Sequence, residues 1–166
     1  EAGQANEVRP EDIEEAICDR TVALLYVKSH HCVQKGMVAP EVMRDIAHAH
    51  GLPFLMDCAA EEDLRKYIAL GADAVTYSGA KAIEATTSGF VTGRADIVDN
   101  VRKQYAGIGR AMKVGKEQIV GLLAALDQYD ARDHEAEAAA NEAKVDWLVG
   151  AVNGIPGLRA EKGRDE

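Results

Sequence analysis

Lys81 stands apart in this chain. It lies in the stretch YSGAKAIEATTSG, residues 77–89, and no other basic residue occurs from 67 to 93. The strand-like run ADAVTY precedes it, and Ser78 stands three positions before it. A second strand-like run, LPFLM, ends directly in Asp57. A carboxylate there is costly unless it is paired or hydrogen-bonded. A third run, VALLYV, is followed by KSHHC, which carries His30 and His31. Adjacent histidines in an extended chain cannot face one direction, and without a third ligand they are a poor metal site. Taken singly, each group has an ordinary reading. Lys81 is a surface lysine, Ser78 is a turn residue, and Asp57 caps a helix starting near Ala59 or Ala60.

Taken together, the groups suit a more specific chemistry. A desolvated lysine can form a Schiff base with an aldehyde cofactor. Pyridoxal 5'-phosphate needs such a lysine. It also needs an acidic partner that keeps its pyridine nitrogen protonated, so that the ring can act as an electron sink. Its phosphate needs hydroxyl and backbone N–H donors. Lys81, Asp57 and the SGA or TTSG segments can supply all three.

The elements that would position these residues follow a regular order. RPEDIEEAICD reads as a helix with Pro10 in its first turn and acidic residues at the positive end of its dipole. TVALLYV, 21–27, is a strand expected to be buried on both faces. APEVMRDIAHAHG and AAEEDLRKYIALG read as helices closed by Gly51 and Gly71. LPFLMD, ADAVTYS and the short SGFVTG read as further strands. Strands alternating with helices imply an α/β fold with a mostly parallel sheet and flanking helices. Ligands in such sheets bind beyond the carboxyl ends of the strands, where His30 or His31, Asp57, Ser78 and Lys81 all fall. From about residue 95 the chain turns helical, through ADIVDNVRKQYAGIG, KEQIVGLLAALDQYD and an alanine-rich acidic segment around Trp147. GIPGLRAEKG then reads as a turn and the start of a strand.

The bulk composition narrows the function classes. The chain has 166 residues, 47% of them hydrophobic and 28% charged, which is globular in character. The net charge of −9 argues against a nucleic-acid or anionic-membrane surface. Cys18, Cys32 and Cys58 match no zinc spacing, and reduced thiols in a cytoplasmic protein are expected. No apolar run approaches the roughly 18 residues of a membrane-spanning helix. The chain starts at EAGQANEVRP without Met and stops at GLRAEKGRDE, so a fragment of a longer enzyme is expected.

The segment LPFLMDCAAEEDLRKYIALGADAVTYSGAKAIEATTSGFVTGR resembles the large-domain core of fold-type I pyridoxal-phosphate enzymes. It is most similar to the group containing selenocysteine synthase (L-seryl-tRNA(Sec) selenium transferase). SGAKAIE and GRAMKVGKE resemble, within that group, the ammonia-lyases of D-glucosaminate 6-phosphate and their relatives. The resemblance implies that Lys81 is the Schiff-base lysine and the proton-transfer group, Asp57 the partner of the pyridine nitrogen, and Ser78 a phosphate contact. It places His30 near the ring and Arg110 and Lys113 at the substrate, although a solvent-facing pair at a helix start is the alternative for these two. Ala85-Thr86 stands where relatives commonly have Gly-Pro. Residues 1–112 would be the C-terminal part of the cofactor-binding large domain, and 113–166 the connecting helices and the start of a small domain. The implied activity is a lyase acting on a small amino acid or an amino-sugar acid phosphate, in a homodimer or larger homo-oligomer, with no membrane or nucleic-acid partner. The alternatives are a transferase acting on seryl-tRNA and a non-catalytic α/β module.

Overall fold

The computed structural model describes residues 2–4, 7–28 and 36–163. The chain divides into two compact units, residues 1–126 and 127–166.

The first unit is built on a four-stranded sheet in the order β1-β2-β3-β4. Its strands are β1 (Leu24–Val27), β2 (Phe54–Asp57), β3 (Ala74–Ser78) and β4 (Gly89–Gly93). β1, β2 and β3 run parallel, and β4 is antiparallel to β3. The α/β architecture with a mostly parallel sheet is therefore borne out. Helix α1 (Pro10–Ala16) precedes β1, and α2 (Pro40–Ala49) and α3 (Lys66–Leu70) lie between the strands in sequence. α1 begins with Pro10, and the Asp12 carboxylate accepts hydrogen bonds from the Arg9 backbone N–H and guanidinium, both at 2.8 Å. Gly51 and Gly71 follow α2 and α3 with φ of +67° and +109°, the left-handed turn that ends a helix.

The core gathers one face of the sheet. Leu24, Tyr26, Phe54, Met56, Val75 and Tyr77 are buried together with Ile13, Ile46, Ala47 and Tyr67. The expectation that β1 is buried on both faces needs correction. Leu25 is 58% exposed and Val27 52%, because among the described residues the packing of β1 falls on its other face. The helix expected over 59–71 is also shorter. It starts only at Lys66, because the Asp63 carboxylate takes the N–H groups of Arg65 and Lys66, both at 2.9 Å, and so fixes the start there.

At the opposite edge from the strand ends, Asp73 ties several elements together. Its carboxylate accepts from the Phe54 N–H at 2.8 Å, from His48 Nε2 at 2.9 Å and from Arg94 Nη1 at 3.0 Å. After β4 come α4 (Ala95–Lys103), short 3₁₀ turns over 104–106 and 108–112, and α5 (Lys116–Asp130). Leu122 and Ala125 of α5 join the core.

The second unit holds α6 (His134–Asn153), whose first turn is capped by Asp133 accepting from the Ala136 N–H at 3.0 Å. Lys162 pairs with Glu142 and, at 2.6 Å, with Asp146. Asn153 and Ala160 exchange two hydrogen bonds at 2.7 and 3.0 Å. The strand expected after GIP does not form among the described residues, and these contacts hold that segment as an irregular return along α6.

Candidate functional site

Because β1, β2 and β3 are parallel, their carboxyl ends share one edge, at Val27, Asp57 and Ser78. The backbone fixes Asp57 on both sides. Its carbonyl accepts the Lys28 N–H at 2.9 Å, and the next N–H, of Cys58, donates to the Thr76 carbonyl at 2.9 Å. Asp57 lies directly opposite Thr76 in the β2–β3 register, and the Thr76 hydroxyl donates to Asp57 Oδ1 at 3.0 Å. Among the described residues this is the only side-chain hydrogen bond to the carboxylate. Asp57 therefore does not cap a helix near Ala59 or Ala60, since none begins there.

Ser78 ends β3 and is half-buried, with its N–H donating to the Ala59 carbonyl at 3.2 Å. The loop 79–88 then carries Lys81 and returns as β4. Its neck is closed by the Gly79 N–H donating to the Ser88 carbonyl at 2.9 Å and the Ala85 N–H donating to the Gly79 carbonyl at 2.7 Å. The Glu84 N–H donates back to the Lys81 carbonyl at 2.9 Å, with Glu84 itself at φ +59°. A Cβ at Gly79 would overlap Ser88 Oγ and meet Leu122 Cδ1 at 3.2 Å, so a side chain there would have to displace the Ser88 hydroxyl from its bond to the Thr86 carbonyl. Ile83, 1% exposed, pins the loop to the core. Lys81, two residues earlier, is exposed, and its amine makes no hydrogen bond or ion pair among the described residues. The desolvated lysine expected from sequence is thus an exposed one in this chain, on a backbone that is held at both ends.

The site adjoins a cleft of about 520 Å³ on α4 and the β3–β4 hairpin, lined by Thr76, Ser88, Val91, Val98, Arg102 and Leu122. Cys58, directly after Asp57, is fully buried, and burial together with the nearby Glu61 and Asp57 carboxylates pushes its thiol up to about 12. That thiol is a packing group rather than a nucleophile.

The structure thus brings Asp57 and Ser78 to adjacent strand ends and hangs Lys81 from the loop that follows. It does not join Arg110 and Lys113 to them. Arg110 lies in the 3₁₀ turn over 108–112 and Lys113 just after it. Both are exposed, with no side-chain hydrogen bond or ion pair among the described residues. His30 lies outside the described residues. Sequence reasoning missed Thr76. Its signal was present, since residues at matched positions of neighbouring parallel strands share a face, but using it required the register.

Comparison with known proteins places this geometry in a family. Residues 1–141 match the family model described as L-seryl-tRNA selenium transferase. The whole chain is 47% identical to a D-glucosaminate-6-phosphate ammonia lyase of Salmonella typhimurium, covering 44% of that protein. It is 42% identical to a 5'-C-glycyluridine monooxygenase-decarboxylase of a Streptomyces species, covering 42% of it. An L-seryl-tRNA(Sec) selenium transferase of Aquifex aeolicus is 24% identical across the full chain, which covers 42% of that protein. A solved structure of D-glucosaminate-6-phosphate ammonia-lyase superposes with a TM-score of 0.77 at 47% identity, over 99% of this chain and 44% of that one. The chain spans less than half the length of these relatives. The resemblance read from SGAKAIE and GRAMKVGKE is borne out by these matches, and the chain belongs to the L-seryl-tRNA selenium transferase family.

Proposed function

We propose that this chain supplies the Schiff-base lysine and ring-binding carboxylate of a pyridoxal-phosphate-dependent lyase that removes ammonia from an amino-sugar acid phosphate such as D-glucosaminate 6-phosphate. The observation that carries the reading is the carboxylate of Asp57, held by Thr76 at the end of β2, one strand from the loop that presents Lys81. The 47% identity to an ammonia lyase over the whole chain supports the substrate class.

The residues present fit the cofactor in kind. Asp57 has one carboxylate oxygen occupied by Thr76 and the other without a donor among the described residues, which suits a protonated ring nitrogen. Among the described residues Lys81 offers a primary amine and Ser78 a hydroxyl that have no partner. When bound, pyridoxal phosphate supplies an electron sink for a carbanion beside the substrate amine. Asp57 would hold the proton on the ring nitrogen and so keep that sink effective. Lys81 Nζ would hold the cofactor through its aldehyde group and would be the base for the proton on the substrate Cα. Ser78 Oγ would donate to a phosphate oxygen. Arg110 and Lys113 would meet the substrate's own phosphate, as flexible or forked cations do. The net change balances as follows: a proton leaves Cα, hydroxide leaves Cβ, and water returns as the amine is released as ammonia.

On this reading residues 1–112 belong to the cofactor-binding domain and 113–166 lead towards a small domain. The protein would act as a homodimer or larger homo-oligomer in the cytoplasm. Among the described residues no helix is long and apolar enough to cross a membrane. Transfer of selenium to seryl-tRNA has the family match in its favour, but the −9 charge opposes a tRNA surface. The test is ammonia release from D-glucosaminate 6-phosphate by the full-length protein, run beside a tRNA gel shift at two salt concentrations. Ammonia release that vanishes in Lys81→Ala is the expected result. A salt-sensitive tRNA complex with no ammonia release would overturn the proposal.

A further inference from the structure

We propose that Thr76 is a positioning residue for Asp57, fixing the carboxylate that meets the cofactor ring; the inference rests on the reading of the site above. A strand-end carboxylate that is half-buried has rotamer freedom to lose when it binds a ligand. Here that freedom is already removed. The Thr76 hydroxyl has one proton, and it goes to Asp57 Oδ1 at 3.0 Å. The bond is charge-assisted when Asp57 is ionised, which makes it stronger than a bond between neutral groups. Thr76 is β-branched, so its own side chain is stiff, and it lies on the central strand directly opposite Asp57. The backbone next to Asp57 is also tied to Thr76, by the Cys58 N–H donating to the Thr76 carbonyl at 2.9 Å. The Thr76–Asp57 pair is therefore held as a unit, and Oδ2 is the oxygen left without a donor among the described residues.

An alternative origin for the pairing is strand stability. Thr76 is exposed and carries a good strand-forming side chain, and valine has the same shape and equal or better strand propensity. Thr76→Val therefore removes the hydroxyl while keeping the fold, and Thr76→Ser restores the hydroxyl without the methyl group.

The experiment uses the full-length protein and pyridoxal phosphate labelled with nitrogen-15 in the ring. Three quantities are read: the cofactor dissociation constant, the ring-nitrogen resonance, and the unfolding midpoint without cofactor. Thr76→Val is expected to weaken cofactor binding about fivefold, the scale of one side chain's lost rotamer freedom. It should also move the ring-nitrogen resonance and leave the unfolding midpoint unchanged. Thr76→Ser should return affinity and resonance to those of the wild type. Wild-type affinity and resonance in Thr76→Val would overturn the role of Thr76 alone. An affinity loss that tracks a lowered unfolding midpoint, or one that serine does not repair, would do the same. Failure of the wild type to bind the cofactor would remove the underlying reading, and this inference with it.

Discussion

Ile83 is the residue through which the core controls the Lys81 loop, and truncating it separates packing from chemistry. It is 1% exposed and lies two positions beyond Lys81, between hydrogen bonds that close the loop at Gly79, Ala85 and Ser88. Ile83→Ala removes three carbons from a packed site. At about 0.8 kcal/mol per buried methylene, the transfer loss alone is roughly 2.5 kcal/mol. The cavity left behind adds to it, which brings the expected cost to about 3 kcal/mol, within the usual range for isoleucine truncation in a core. Ile83→Val should cost about 1 kcal/mol. Urea unfolding followed by circular dichroism measures both. Trypsin supplies a second readout, because Lys81 is a cleavage site on the loop that Ile83 pins. Cleavage after Lys81 should speed up in Ile83→Ala, as local opening of the loop becomes easier. A cost below about 1 kcal/mol together with unchanged cleavage would refute the idea that Ile83 anchors the loop.

Other outcomes follow from the same contacts. Gly79→Ala should lose cofactor affinity and stability together, because the added carbon overlaps Ser88 Oγ at the neck; unchanged affinity by absorbance titration would refute this. Burial alone pushes the Asp73 carboxyl up, but the Phe54 N–H, His48 and Arg94 together outweigh it and hold it below the ordinary value. The stability this lends is complete above the unfolded carboxyl value of about 4 and is lost as pH falls through the lower native value. Asp73→Asn should therefore be less stable at neutral pH and should show a flatter loss of stability in acid, measured by urea midpoints across pH. Alkylation at pH 8 followed by peptide mass mapping should modify Cys18, which is exposed and whose thiol is pulled down by hydrogen bonds from Arg20 and Thr21. Cys58 should stay unmodified in the folded protein.

Much of this was legible in the sequence because the signals were local. Apolar runs placed the four strands described in the sheet, and Gly71 and Pro10 marked helix ends through their own backbone geometry. The strand-end rule then placed Asp57 and Ser78 on one edge without any knowledge of packing. What was not legible depended on partners distant in the chain. The late start of α3 turns on Asp63 capturing two N–H groups, which competes with an otherwise plausible helix from residue 59. The one-sided burial of β1 depends on what packs against Leu25 and Val27, and a run of apolar residues cannot reveal that. The partnership of Thr76 with Asp57 needed the register between β2 and β3. The case for Lys81 as a reactive amine came from its neighbours in sequence, whereas its exposure follows from how loop 79–88 is hung.

The central claim is that Lys81 is the amine that binds the cofactor. Borohydride reduction of the full-length protein with pyridoxal phosphate, followed by peptide mapping, tests it most directly. The account predicts one labelled peptide, carrying the cofactor on Lys81, and no label in Lys81→Ala. Label on any other lysine, or none on the wild type, would contradict it.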